Sequence, residues 1–287
     1  MIRRYYYLPF IVLILSSPAI AQENDGEQVF SELAKLDWQR GPTVGQIGSE
    51  ATIVVPSGYL FLGSAGTYLF LELLGNLPEY NNYTLARDDL SWFSVFGYDD
   101  VGYIRDDDTI DPDALLKTIK ENNAKSNEER KRRNIAPLYI EGWSVEPHYD
   151  LKTKRLEWGT RLRSPEGQGT VNYSIRLLGR TGVMAAILVS DTENLSTDLP
   201  SFKALLNGFE YNSGHRYSEF RQGDKVAQYG LAALIVGGAA AAAVKTGAAK
   251  GLFKFLAIAA FGALAVIGAV FKKIFSIFGR RSPNADD

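Results

Sequence analysis

The chain has 287 residues, with 31 lysines and arginines against 33 aspartates and glutamates, and no cysteine. The missing cysteines exclude a disulfide scaffold, a thiolate metal site, an iron–sulfur cluster and a cysteine nucleophile. His148 and His215 are the only histidines, too few for a multi-histidine metal site, while 46% hydrophobic content excludes global disorder.

Residues 1–21 have the three parts of a secretory signal peptide. Arg3 and Arg4 are basic, Tyr5 to Leu15 is apolar, and Ala19-Ile20-Ala21 is a small-residue cleavage site. Residues 22–225 then form an exported domain. It holds 22 basic and 31 acidic residues, once Arg3, Arg4 and the charges beyond 225 are set aside. An acidic body argues against a nucleic-acid partner, because phosphate binding needs clustered positive charge.

Val29, Phe30, Leu33 and Leu36 fall at helical spacing and predict an amphipathic helix over Glu27–Asp37, ended by Gly41-Pro42. Ala51–Val55 and Tyr59–Leu62 are short β-rich runs around the turn sequence Pro56-Ser57-Gly58. Ser64 is placed to cap a helix running to Leu74. Trp92–Phe96 and Val101–Ile104 are expected strands around a turn at 97–100.

Asp111-Pro112 is a helix start, with aspartate as cap and proline in the first position. Leu115, Leu116 and Ile119 give that helix an apolar stripe. From Lys120 onward it is nearly all polar, with opposite-charge pairs such as Glu121–Lys125 and Glu128–Arg132, so this half is expected to project into solvent. Lys131-Arg132-Arg133 at its end is a candidate contact for acidic headgroups or a partner, set against the plainer reading of a solvated face.

The clearest β signal follows. Leu156, Trp158 and Leu162 alternate with Arg155, Glu157, Arg161 and Arg163, which predicts one apolar and one wet face. Val171, Tyr173, Ile175 and Leu177 alternate again, and Val183–Val189 is a continuous apolar strand. Gly179-Arg180-Thr181-Gly182 between them lacks the Walker frame and is a hairpin turn. Pro200–Asn207 is a short covering helix. Strands without βα alternation predict an α+β fold, a mostly antiparallel sheet covered by helices.

At the C-terminal end, residues 226–250 form an apolar segment rich in alanine and glycine. Residues 251–271 are uncharged apart from Lys254 and form a transmembrane helix of about 21 residues, enough to cross the hydrocarbon. Residues 272–287 carry Lys272, Lys273, Arg280 and Arg281, which the positive-inside rule places in the cytoplasm. A signal peptide with one crossing satisfies both constraints. The rival is a hairpin, with 228–244 and 253–271 both crossing.

Candidate sites are sparse. Asp106-Asp107-Asp108 with Asp111 and Asp113 is dense in carboxylate, but it lacks a calcium-loop frame and its last members serve the helix start. Trp143, Pro147, His148 and Tyr149 are the candidate contact residues for a partner or ligand. His148 sits in an expected turn, Glu146–Asp150, where imidazole titration near neutrality suits it to proton transfer or binding. Neither a nucleophile elbow nor a second histidine at ligand spacing accompanies it, so no catalytic, cofactor or metal residue is assigned. His215 has no partner pattern either.

Several motifs stand in a recognisable order. They are Gly102-Tyr103-Ile104-Arg105-Asp106-Asp107-Asp108, Gly142-Trp143-Ser144-Val145-Glu146-Pro147-His148-Tyr149-Asp150, Val171-Asn172-Tyr173 and Leu178-Gly179-Arg180-Thr181-Gly182. Gly214-His215-Arg216-Tyr217-Ser218-Glu219-Phe220, Asp224-Lys225-Val226-Ala227 and Tyr229-Gly230-Leu231-Ala232 follow. Over roughly residues 28–280 the chain resembles a bacterial family of uncharacterised membrane-anchored proteins, known as a domain of unknown function. The resemblance implies an exported domain followed by a membrane segment in the envelope, and it carries over no activity or cofactor. The meander and its helix are also similar to small antiparallel α/β sandwiches of the photosystem-accessory, PsbP-like type, a fold analogy that gives no function.

The expected role is therefore a non-catalytic partner-binding or membrane-complex accessory module. It is expected at the bacterial inner membrane with its main domain in the periplasm or otherwise outside the cell membrane, with the lipid bilayer as partner and envelope proteins as candidate partners. The rivals are an envelope hydrolase using carboxylates with His148, and a transport component built on the two-helix hairpin.

Overall fold

The period-two pattern at 155–189 becomes three long antiparallel strands: β8 (Arg155–Arg163), β9 (Gly169–Leu178) and β10 (Val183–Asp191). In this computed structural model the described residues are 29–74, 80–132, 136–165, 167 and 169–236. The predicted 1–21 signal peptide and the segments 251–271 and 272–287 lie outside them.

The other elements in chain order are α1 (29–34), β1 (Gln39–Arg40), β2 (Thr43–Ile47), β3 (Ala51–Val55), β4 (Tyr59–Leu62) and α2 (Ser64–Leu73). Then come β5 (Asn82–Arg87), β6 (Phe93–Asp99), α3 (Pro112–Arg132) and β7 (Tyr139–Asp150). After β10 follow α4 (Leu195–Leu205), β11 (Phe209–Tyr211) and α5 (Leu231–Val236). One sheet has eight strands in the order β1-β4-β5-β6-β10-β9-β8-β7, every pairing antiparallel. A second has three, β11-β3-β2.

Strand alternation sends side chains to two faces, and both faces are covered. Phe61, Leu85, Phe96, Tyr173, Ile175, Met184, Ala186 and Leu188 share the first face. The small sheet lies on it through Ile47, Ala51, Ile53 and Val55, and α4 through Phe202 and Leu205. On the second face, α1 and α2 cover one half, burying Leu33, Phe70 and Leu71 on Leu60, Phe93 and Val95. Ile104, the start of α3 and α5 cover the other half, over Leu156, Trp158, Leu178 and Val183. A fully buried side chain of this size contributes about 1.5–3 kcal/mol by leaving water. These layers therefore drive the fold, and the result is the expected antiparallel α+β architecture.

Several expectations need correcting. Val101–Ile104 is no strand; Tyr103 makes only an isolated parallel bridge to Val226. The turn expected at 97–100 begins later, because Gly97 continues β6, paired with Ala185 and Asn82. A Cβ at Gly97 would meet the Asn82 side chain at 2.6 Å, so glycine lets both pairings form. Pro56-Ser57-Gly58 does not close a hairpin; β3 and β4 on its two sides belong to different sheets. Ser64 Oγ accepts the Asn81 N–H at 2.7 Å and does not cap α2, whose N-cap is Gly63. The covering helix starts at Leu195, with Pro200 inside it, because Thr197 and Asp198 donate N–H groups to the Asn194 carbonyl.

Helix α3 departs furthest from its sequence pattern. Its start is as expected: Asp111 Oδ1 accepts the Ala114 N–H at 3.1 Å. Its polar half does not project into solvent. Asn123 and Ser126 are buried, as is Arg130, whose Nε donates to the Ala136 carbonyl at 2.7 Å. Asn127 donates to the Leu138 carbonyl at 2.7 Å and accepts the Leu138 N–H at 2.9 Å. Asn123 Oδ1 accepts the Ile140 N–H at 3.2 Å. Strand β7 is an edge strand of the large sheet, and these side chains meet backbone groups that would otherwise be left open at its start.

No helix among the described residues is long and apolar enough to cross a membrane. The folded body also continues past residue 225. Leu231, Leu234 and Ile235 are buried against the second face, so the first residues of the apolar segment belong to the body.

Candidate functional site

The outward row of β8 carries a carboxylate that is not solvated. Glu157 is only 9% exposed at its side chain. It faces the layer of α4 and accepts the Tyr173 hydroxyl at 2.6 Å and the Lys203 ammonium at 2.6 Å. Lys203 lies in the last turn of α4, where the helix dipole favours a cation, and its Nζ is 5.3 Å from the Tyr173 ring centroid. Burial, then the carboxylate itself, push the Tyr173 hydroxyl well above the usual tyrosine range.

His148 stands opposite Glu157 on β7. Its Nε2 is 3.8 Å from the carboxylate and its Nδ1 is 3.0 Å from the Glu146 carbonyl oxygen. The ring is thus oriented, and at 52% exposure it faces solvent beside Lys203, 40% exposed. One buried carboxylate, with the exposed ends of Lys203 and His148 around it, makes a polar contact surface. A serine hydroxyl bonded to the imidazole, which acyl transfer would need, is absent among the described residues.

The expected Glu146–Asp150 turn is instead the end of β7, which reaches Asp150 through three register shifts. Pro147 is buried at one of them, a place an edge strand allows for proline. Because His148 and Tyr149 are consecutive in a strand, they point to opposite faces. Trp143, half-buried, shares the second face and donates Nε1–H to the Pro112 carbonyl at 3.1 Å, pinning the start of α3. Tyr149, on that same face, donates to Asp106 at 2.9 Å. The four candidate contacts therefore divide between two faces, with His148 on the Glu157 side and Trp143 and Tyr149 on the other.

Asp106 forms a second node. Lys154 reaches it at 2.7 Å and lies 5.3 Å from the Tyr217 ring centroid, and Tyr103 stacks on Tyr217 at 4.4 Å. Burial opposes the Asp106 charge, but the hydrogen bonds from Lys154 and Tyr149 outweigh it and hold the carboxyl below its usual range. Arg180, in the β9–β10 turn, grips Asp224 through two bonds of 2.7 and 2.8 Å. That bidentate pair, helped by the Arg221 N–H, lowers the Asp224 carboxyl to about 2. His215 lies 3.4 Å from Thr181 and edge-on to Tyr98. No group of three or more histidines and acids among the described residues is placed to hold a metal ion.

Glu157, Tyr173 and Lys203 carry no distinguishing sequence signal. A glutamate in an outward row looks the same whether water or a helix covers it.

A family model described as a protein of unknown function, DUF2167, matches residues 39–275. Among solved structures, cyanobacterial PsbP from Synechocystis shares 9% identity, covering 58% of this chain and 90% of its own, with a TM-score of 0.35. The Ran-binding protein Mog1p of Saccharomyces cerevisiae shares 11% identity, covering 61% of this chain and 96% of its own, with a TM-score of 0.29. No curated protein matches the chain.

Proposed function

We propose that this chain, which belongs to the DUF2167 family of proteins of unknown function, is a non-catalytic partner-binding module of the bacterial envelope. Its folded body stands outside the cytoplasmic membrane, tethered by residues 251–271. The observation that carries the reading is the Glu157 node. Its carboxylate is held by Tyr173 and Lys203, and the exposed parts of Lys203 and His148 are left at the surface to meet another molecule. The Asp106 and Asp224 nodes likewise spend their charges on joining loops and strands, which stiffens the body as a docking platform.

One observation favours a rival. His148 approaches a carboxylate, the pairing a hydrolase would use to poise an imidazole. Single replacements separate the two. For a docking surface, Lys203→Ala and His148→Ala weaken function together and by similar, partial amounts in a stably expressed chain. For a hydrolase, His148→Ala abolishes function while Lys203→Ala leaves most of it. Equal indifference to both variants sinks the proposed site. Tethering is tested separately: Ser282→Cys stays unlabelled from outside the membrane if there is one crossing, and labelling there contradicts it.

A further inference from the structure

We infer that the α3–β7 edge is a docking surface for anionic phospholipid headgroups, so that the body lies with this edge against the membrane. Three features meet there. The first is the path of the chain. Helix α5 packs under α3, and Val236, its last residue, rests among Leu116, Trp143, Ile140 and Leu162. The described chain therefore ends at this edge and not at the far side, where β1 and β2 lie.

The second is charge. Residues 22–225 are acidic overall, yet this edge exposes Lys120, Lys125 and Lys131 of α3, with Arg161 of β8 beside Gly142. Among the described side chains, the facing acids are Glu121, Glu128 and Glu141, the last already bound by Arg163. The third is an aromatic. Tyr139 is 52% exposed and lines a groove of about 980 Å³ with Lys120 and Lys131. A tyrosine flanked by lysines suits the headgroup level of a bilayer.

The start of this edge is poorly suited to an added partner strand. The Leu138 N–H and carbonyl and the Ile140 N–H that such a strand would need there are taken by Asn127 and Asn123. A diffuse anionic surface asks only for charge and an amphipathic ring.

The inference leans on the tethering reading for proximity alone. Because the chain has no cysteine, single labels are clean. Tyr139→Cys, and Val44→Cys at the far edge as control, carry an environment-sensitive fluorophore in the full-length chain. The labelled chains are placed in nanodiscs of phosphatidylcholine, with or without phosphatidylglycerol. The expected result is a blue shift at position 139 only in the phosphatidylglycerol discs, reversed by salt and absent at position 44. Lys120→Gln and Lys131→Gln should each lower the lipid response about fivefold. An unchanged label at 139, or an equal shift at 44, overturns the inference. If the chain does not enter discs at all, tethering fails, and the labelled chain is mixed with phosphatidylglycerol vesicles. Salt-sensitive binding through position 139 then keeps the surface, and its absence removes it.

Discussion

Replacing Asn127 by alanine should unlock the outer edge of the large sheet. Asn127 makes two hydrogen bonds to the backbone of Leu138, one given at 2.7 Å and one received at 2.9 Å. Each contributes about 1 kcal/mol net, so their joint loss costs about 2 kcal/mol, and more where water cannot reach the stranded groups. At 1.4 kcal/mol per factor of ten, that is about a 30-fold loss of amide protection. Hydrogen exchange of the purified full-length chain reads it at Leu138. Asn123→Ala, which removes one bond of 3.2 Å to Ile140, should lose only about fivefold at Ile140 on the same scale. Asn127→Asp keeps the acceptor for the Leu138 N–H but sets a carboxylate against the Leu138 carbonyl, so it should be at least as damaging as alanine. Protection within twofold of the parent in Asn127→Ala would refute the reasoning. So would a loss spread evenly over the whole body.

Other expectations follow from the nodes and the core. Tyr173→Phe removes a hydrogen bond to a buried carboxylate and should cost about 1.5–3 kcal/mol in thermal stability; in a Lys203→Ala background the two losses should not add, because both partners share Glu157. Leu234→Ala empties a buried position of α5 and should cost about 2–5 kcal/mol, with exchange rising first over 227–236. The Asp224 carboxyl is lower in the folded state than in the unfolded chain, so its pairing stabilises above about pH 4 and that contribution is lost as pH falls toward 2. Segment 212–229 should therefore loosen over that window, and Asp224→Asn should shrink the acid step without abolishing it, because Asp106 and Glu219 are held low as well.

The meander was legible because one face of each strand is buried and the period of two survives in the sequence. The start of α3 was legible because Asp111-Pro112 does its work within four residues. What was hidden depends on partners far along the chain. The hydropathy of Asn123 and Asn127 is that of solvated residues, and only β7 arriving alongside turns them into an edge seal. Strand β7 itself is masked by Gly142 and Pro147, residue types that usually mark turns, and by register shifts that break its period of two. The β-rich runs at 51–55 and 59–62 mark β3 and β4 as strands, but a local pattern cannot say that they enter different sheets. Trp143, Pro147, His148 and Tyr149 lie close in sequence, but strand geometry sets His148 on the face opposite Trp143 and Tyr149. Glu157 shows the same limit: α4, which covers it, arrives some forty residues later.

Partner binding is tested most directly by a photo-cross-linking residue placed at position 148 in living cells, followed by detergent purification of the C-terminally tagged chain and mass spectrometry. The proposed docking surface predicts a reproducible envelope protein joined at 148 and lost from the cross-link when Lys203 is replaced by alanine. A chain that emerges alone, from cells in which His148→Ala also abolishes its phenotype, would contradict it and point to chemistry at the imidazole.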